Sequence, residues 1–209
     1  MHTYAQNGSF TVTLTLTDGY GANSIASTQA TVTNVAPSVA AFGGATLLRG
    51  ETYSVTGSFS DPGTTETYTA TVNYGDGSGD QPLSPSGRTF AFAHTYAASG
   101  TFPVTVRVSD GAASGMSSAL VTVQSPLQGI ANLNDAVTNL AGTGALNAGQ
   151  GTSLRAKLNA ASSQCRREGV ACTNILNAFV EELKHYDGDQ VDAITRYAER
   201  VIASATAAN

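Results

Sequence analysis

The hydrophobic period of this chain changes once, at Pro126, and that change divides it into two kinds of fold. Ahead of Pro126, apolar residues recur at every second position. Phe10, Val12, Leu14 and Leu16 alternate with Thr11, Thr13, Thr15 and Thr17, the pattern of a half-buried antiparallel strand. From Leu127 onward they recur every three to four positions, as on one face of a helix. Composition follows the same division. Residues 1–126 hold all 6 prolines, three basic residues (Arg49, Arg88, Arg107), no lysine and no cysteine, whereas the remainder holds both cysteines and no proline.

The first part repeats itself. At an offset of 92, His2-Thr3-Tyr4-Ala5 recurs as His94-Thr95-Tyr96-Ala97, and ten of the eighteen positions from His2 to Gly19 are identical in the second copy. Phe102, Val104, Val106 and Val108 take the places of Phe10, Val12, Leu14 and Leu16, and an Asp-Gly pair closes each run as a turn, at Asp18-Gly19 and Asp110-Gly111. Upstream of the second copy the alternation continues through Tyr53, Val55 and Phe59, the turn Asp61-Pro62-Gly63, then Tyr68, Ala70, Val72 and Tyr74, then the turn Gly75-Asp76-Gly77. With strands at 45–48, 89–93 and 119–123, residues 38–125 are expected to hold about seven short strands, the number of an immunoglobulin-like sandwich. The first copy has no counterpart for residues 38–93 apart from Met1, so about half a sandwich is missing ahead of His2.

Val72-Asn73-Tyr74-Gly75-Asp76-Gly77, followed by His94-Thr95-Tyr96 and by Gly100-Thr101-Phe102-Pro103-Val104-Thr105-Val106, resembles a polycystic kidney disease (PKD) repeat of the bacterial type. The resemblance gives Gly75, Asp76, Gly77, His94 and Tyr96 as structural motif positions. The family usually carries tryptophan where Val72 stands. This chain has no tryptophan, so Tyr68, Tyr74, Phe92 and Phe102 are expected to fill the core.

In the second part, Leu127, Ile130, Leu133 or Asn134, Val137 and Leu140-Ala141 mark one helix, and Leu154, Leu158, Ala161 and Cys165 a second. Ile175-Leu176, Phe179 and Leu183 mark a third; Val191, Ile194, Ala198, Val201-Ile202 and Ala205 mark a fourth. Asp189 is the expected N-cap of the last, Gly169 and Gly188 punctuate connections, and Gly142-Thr143-Gly144 reads as a linker. Four apolar stripes make a small four-helix bundle. The blocks Ser153 to Ala161, Leu176 to Val180 and Ala198 to Ile202 are similar to the FIMAH domain, a helical module at the C-terminal ends of secreted bacterial multidomain proteins. The resemblance implies no catalytic residue. Cys165 and Cys172 fall where a helical hairpin brings them together, as a disulfide or as two reduced thiols.

Reactive motifs are sparse. No HExxH, G-x-S-x-G or Walker loop occurs. His2 and His94 occupy the same slot of two repeats, which points to a structural role, and His185 belongs to the end of a helix. A net charge of -5 and a charged fraction of 12%, about half the globular norm, argue against nucleic acid. No apolar run approaches the ~18 residues of a membrane span, and no export signal follows Met1. Asp61, Glu66, Asp76, Asp80 and Asp110 lie in turns at the ends of the strands and form a candidate calcium set. Ordinary turn chemistry, with Asp accepting amides two residues on, is the alternative. No other cofactor is expected. Tyr20, Tyr53 and Tyr186 are scattered candidates for glycan contact.

The expected architecture is multidomain, all-β plus all-α: a partial sandwich over 1–36, a complete one over 37–125 and a helical domain over 126–209. The expected role is a non-catalytic extracellular spacer and interaction segment, secreted or at the cell surface. Its partners would be other extracellular proteins, polysaccharide and neighbouring domains of a longer chain. Two alternatives stand beside it: the accessory tail of a secreted hydrolase or protease, and a filament or surface-layer subunit completed by strand donation.

Overall fold

The computed structural model describes residues 1–166 and 170–207; Gly169 lies outside them. Ten strands come first: β1 (Gly8–Thr17), β2 (Asn23–Val32), β3 (Ser38–Val39), β4 (Ala45–Leu48), β5 (Thr52–Ser60), β6 (Thr69–Asn73), β7 (Asp80–Leu83), β8 (Thr89–Thr95), β9 (Gly100–Ser109) and β10 (Ser114–Gln124). Four helices follow: α1 (Pro126–Thr143), α2 (Ala148–Cys165), α3 (Val170–Leu183) and α4 (Asp189–Thr206). No helix is long and apolar enough to cross a membrane among the described residues.

β3 to β10 form the two sheets of an immunoglobulin-like sandwich, ordered β4-β10-β9-β6-β7 and β3-β5-β8. β1 and β2 form a separate two-stranded antiparallel sheet. Alternation marks every strand of the sandwich except β3 and β7. β3 has two residues, too few to show a period. β7 carries Pro82, which lacks an amide to donate and is tolerated because β7 closes the sheet as an edge strand.

The chain divides into two compact units, the first comprising Met1–Gly43, Val55–Phe92 and Val104–Ala119, the second Gly44–Ser54, Ala93–Pro103 and the chain from Leu120 onward. In the first unit Phe59, Ala70, Val72, Tyr74, Leu83, Phe90, Phe92, Val104, Val106 and Val108 are buried. Val72 therefore sits in the core, beside Tyr74 and Phe92 of the four aromatic residues expected to fill it. Tyr68 is only half-buried, because its hydroxyl turns to the polar end of the sheet, and Phe90 takes the core place instead. Phe102, in the second unit, is likewise half-buried and stacks on Tyr96 with centroids 4.5 Å apart. Tyr53 is buried, not exposed, because it occupies an inward position of β5.

The second unit joins β4 and the end of β10 to the helices. β4 pairs in parallel with β10, from Ala45 opposite Val121 to Leu48 opposite Gln124. Leu48 then belongs to the same buried cluster as Ile130, Leu133, Leu154, Leu158, Leu176, Phe179 and Val201. Each helix packs on its sequence neighbour, and α1 packs on α4. Full burial of each leucine stabilises by about 1.5–3 kcal/mol. Leu133, not Asn134, is the buried position of α1. A Cβ on Gly129 would lie 2.7 Å from a Val201 methyl, so the approach of α1 to α4 requires glycine there.

Helix ends are specified locally. Ser125 and Gln128 form a reciprocal capping box ahead of α1, with Pro126 in the first turn; Asn147 and Gln150 do the same for α2. Two expectations are corrected here. Gly142 and Thr143 belong to α1, and Gly144 ends it in the left-handed region at φ 80°, where glycine avoids the Cβ clash. Gly188, not Asp189, is the N-cap of α4; it has no side chain to accept a bond, and Asp189 and Asp192 instead place negative charge in the first turn.

Polar contacts extend the same unit. Arg200 grips Glu51 with two bonds, from Nε at 2.5 Å and Nη2 at 2.8 Å. That hydrogen bond is the main reason the Glu51 carboxyl is held below the ordinary range. Asn132 donates to Gln124 at 3.1 Å and to the Tyr197 hydroxyl at 2.9 Å. Cys165 and Cys172 are joined as a disulfide, their Cα atoms 5.0 Å apart, between the end of α2 and the first turn of α3.

Candidate functional site

β5 ends at Ser60 and the chain turns through Asp61-Pro62-Gly63. Asp61 makes the turn by accepting the Gly63 amide on Oδ1 at 2.7 Å. Arg88 then donates to the carbonyls of both Asp61 and Gly63 while its guanidinium lies 5.5 Å from the centre of the Tyr68 ring. The Tyr68 hydroxyl is 3.2 Å from Glu66 Oε2. A Cβ at Gly63 would lie 2.2 Å from the Glu66 carboxyl, so any larger residue there would displace that side chain from its present position.

Asp110 arrives from the turn between β9 and β10. Its Oδ1 accepts the amides of Ala112 at 2.7 Å and Ala113 at 2.6 Å, and its Oδ2 accepts from Asn34 Nδ2 at 3.0 Å. Asp61, Glu66 and Asp110 each bring one carboxylate oxygen within 4.8 Å of the others. The charges are divided by environment. Backbone donation from Ala113, then the Asn34 bond, hold Asp110 below its ordinary value. Glu66 is raised, first by desolvation and then by its hydrogen bond to Asp61 and that carboxylate's charge. Asp61 Oδ2 is buried with no hydrogen-bond partner. Beside it lies a cavity of about 60 Å³, lined by Asp61, Pro62, Gly63 and Glu66 together with 4–7 and 32–35.

Three of the five acidic residues singled out in the sequence thus converge. The other two do not: Asp76 closes the β6–β7 turn by accepting from the Ser78 amide and hydroxyl at 3.1 and 2.6 Å, and Asp80 accepts from Asn73 at 2.7 Å. Both are consumed by hairpin chemistry at a different turn. Asn34 and Arg88 were not foreseen as part of this cluster. Arg88 carries a faint signal in the sequence, as one of three basic residues in a stretch of 126.

The remaining motif residues are structural in their contacts. His94 meets the Tyr96 ring edge-on at 4.7 Å, and His2 meets Tyr4 at 4.6 Å in the same arrangement. His185 donates from Nδ1 to the Glu181 carbonyl at 3.0 Å, just past the end of α3. Tyr20 is fully exposed and Tyr186 half-buried, hydrogen-bonded to Glu182 at 3.1 Å.

A family model for the PKD domain matches residues 34–124. The match spans the sandwich and ends before α1. Among solved structures, the chain is similar to the titin domains Z1Z2 in complex with telethonin at 17% identity, covering 56% of this chain and 61% of that one, with a TM-score of 0.37. It is similar to the PKD domain of a peptidase from a Thermoplasmatales archaeon at 25% identity, covering 44% of this chain and 98% of that one, with a TM-score of 0.34. It is also similar to an endo-fucoidan hydrolase of glycoside hydrolase family 107 at 20% identity, covering 58% of this chain and 19% of that one, with a TM-score of 0.31. No curated protein matches.

Proposed function

We propose that this chain is a non-catalytic extracellular spacer and interaction segment, in which a PKD-type sandwich is followed by a FIMAH-like helical module. The observation that carries this reading is the PKD domain match over residues 34–124. PKD domains are typically extracellular interaction or spacer modules, and the Cys165–Cys172 disulfide suits an oxidising compartment. The bidentate Glu51–Arg200 pair and the shared burial of Leu48 with the helices tie β4 to α4 within the second unit, which suits a spacer. The contact chemistry is protein or glycan. Incubating the full chain with immobilised extracellular proteins and a panel of polysaccharides, while assaying release of reducing ends and of peptide termini, tests it. Retention without turnover is expected; reproducible turnover abolished by a point substitution would overturn it.

The orphaned Asp61 Oδ2 favours a second reading: Asp61, Glu66 and Asp110 hold a hard divalent cation, calcium above all, with water completing the shell. A bound cation would relieve the pressure that raises Glu66. The expected result is a melting temperature raised by millimolar calcium and restored by chelator, with no response in Asp61→Asn. A melting curve indifferent to both calcium and chelator removes this reading.

A further inference from the structure

The base of the β1–β2 hairpin is tied to the two loops that carry the acidic cluster. Ahead of β1, the Ala5 carbonyl accepts the Thr64 amide at 3.0 Å and the Thr64 hydroxyl at 3.2 Å, and the Gln6 side chain accepts from the Thr65 hydroxyl. Beyond β2, Asn34 donates to Asp110 Oδ2 at 3.0 Å. Thr64 and Thr65 lie between Asp61 and Glu66 in the loop from β5 to β6, and Asp110 opens the turn from β9 to β10. Loop and turn leave the sheet side by side, because Thr69 at the start of β6 lies opposite Ser109 at the end of β9. The cavity of about 60 Å³ is walled by both ends of the hairpin's base, 4–7 and 32–35, and by Asp61, Pro62, Gly63 and Glu66 of the loop.

The tethers are a handful of hydrogen bonds, those from the Thr64 and Thr65 hydroxyls at exposed positions, and each contributes little alone. They act together only while the loop and the turn stay together. Three carboxylates whose oxygens lie within 4.8 Å of one another oppose that when ionised, since like charges repel. A divalent cation reverses the sign of that interaction. Asp61 already serves the Gly63 amide with Oδ1, which leaves the buried and unpartnered Oδ2 to give. Asp110 keeps Oδ1 for the amides of Ala112 and Ala113, and its Oδ2, which accepts from Asn34, has a second lone pair. Tether and cation can therefore share one oxygen. A water in the shell needs only ~10–15 Å³, so the cavity beside Asp61 has room for it.

We propose that the cation held by Asp61, Glu66 and Asp110 is a clamp: by bridging the β5–β6 loop to the β9–β10 turn it secures the Thr64–Ala5 and Asn34–Asp110 tethers at once, so that calcium stiffens the base of the β1–β2 hairpin against the sandwich. Residues on either side of the hairpin are then held by a single ion, although none of them ligates it. This inference rests on the cation reading given above and says what the cation controls.

The test uses the isotope-labelled full chain, with calcium chloride as the probe. Calorimetry first gives the dissociation constant, and amide hydrogen exchange is then followed by NMR. A ligand that binds only the tethered arrangement favours it in proportion to its saturation, so at about a hundred times the dissociation constant exchange of the Thr64 amide should slow by about a hundredfold. The amides of Gly75 and Ser78, which are held by Asn73 and Asp76 in the turn between β6 and β7, should keep their rates. Asp61→Asn still has an oxygen for the Gly63 amide, and it should lose both the binding and the slowing at Thr64. Calcium that binds without slowing Thr64 overturns the clamp and leaves the cation reading standing. Slowing that is equal at Thr64, Gly75 and Ser78 also overturns it, since the ion would then stabilise the sandwich as a whole. Absence of binding heat removes the cation reading and the clamp with it.

Discussion

The two hairpins β1–β2 and β9–β10 share a sequence motif, a ring stack and a turn, yet the inward valines of one are sealed and the corresponding side chains of the other face solvent. Local chemistry therefore suffices to shape the hairpin but not to bury it. In the second copy, burial depends on strands drawn from the 56 positions from Ser38 to Ala93, which flank β9 and β10. The same substitution at matched positions should consequently have unequal effects, and that inequality is what the following experiments measure.

The largest difference is expected at the tyrosines. Tyr96 is 1% exposed, so Tyr96→Ala should cost about 3–5 kcal/mol, as for other buried aromatic truncations. Tyr4→Ala, at the half-buried counterpart, should cost less than about 1 kcal/mol. Urea unfolding of the two variants reads the difference; equal losses would mean that the first hairpin is as well covered as the second. Next comes the disulfide, which lies in neither hairpin and so separates helix stability from sheet stability. It closes a loop of about 8 residues, and reduction should destabilise the helices by roughly 2.5 kcal/mol on the chain-entropy model, with β-sheet signals little changed.

A smaller effect belongs to the Glu51–Arg200 pair. Their side chains are 25% and 47% exposed, so solvent screening discounts the charge pairing and Arg200→Ala should cost about 0.5–1 kcal/mol. The sign with pH is definite. The folded Glu51 value lies below the unfolded one, so its contribution is present above the ordinary glutamate range near pH ~4.3 and is lost as pH falls through the lower, folded value. Thermal melts of wild type and variant should converge on acidification. The smallest effect has the opposite sign. Glu66 is raised in the folded state, so its ionisation works against folding above its ordinary range. Glu66→Gln should raise the melting temperature slightly at neutral pH, and the gain should fade as pH drops below the unfolded glutamate value; a variant less stable at pH 7 contradicts this account.

Much of the architecture was legible because period is local. Thr89 to Ala93 and Ala45 to Leu48 could be recognised as strands from alternation, and the four helical stripes from their spacing, since a backbone of fixed repeat places every second or every third and fourth side chain on one face. Elements that obey exceptions were harder. Pro82 hid β7, and the N-cap of α4 fell on a glycine, which has no side chain to advertise the role. The acidic cluster was half legible. Asp61 and Asp110 belong to turns that any reader of the sequence would mark, but nothing local separates them from Asp76 and Asp80, whose turns look the same and point elsewhere.

By itself the amino-acid order determined the two periods, the repeat at 92, the capping boxes at Ser125 and Asn147 and the meeting of Cys165 with Cys172, all of which depend on residues close in sequence or on a period set by backbone geometry. Tertiary structure alone decided that Asn34 reaches Asp110, that Arg88 holds the loop of Asp61, and that Leu48 is buried with the helices. It also decided that Val106 is enclosed while Leu14 is not. These contacts join residues far apart along the chain, and their free energy depends on which surfaces are excluded from water, a quantity that no short window of sequence contains.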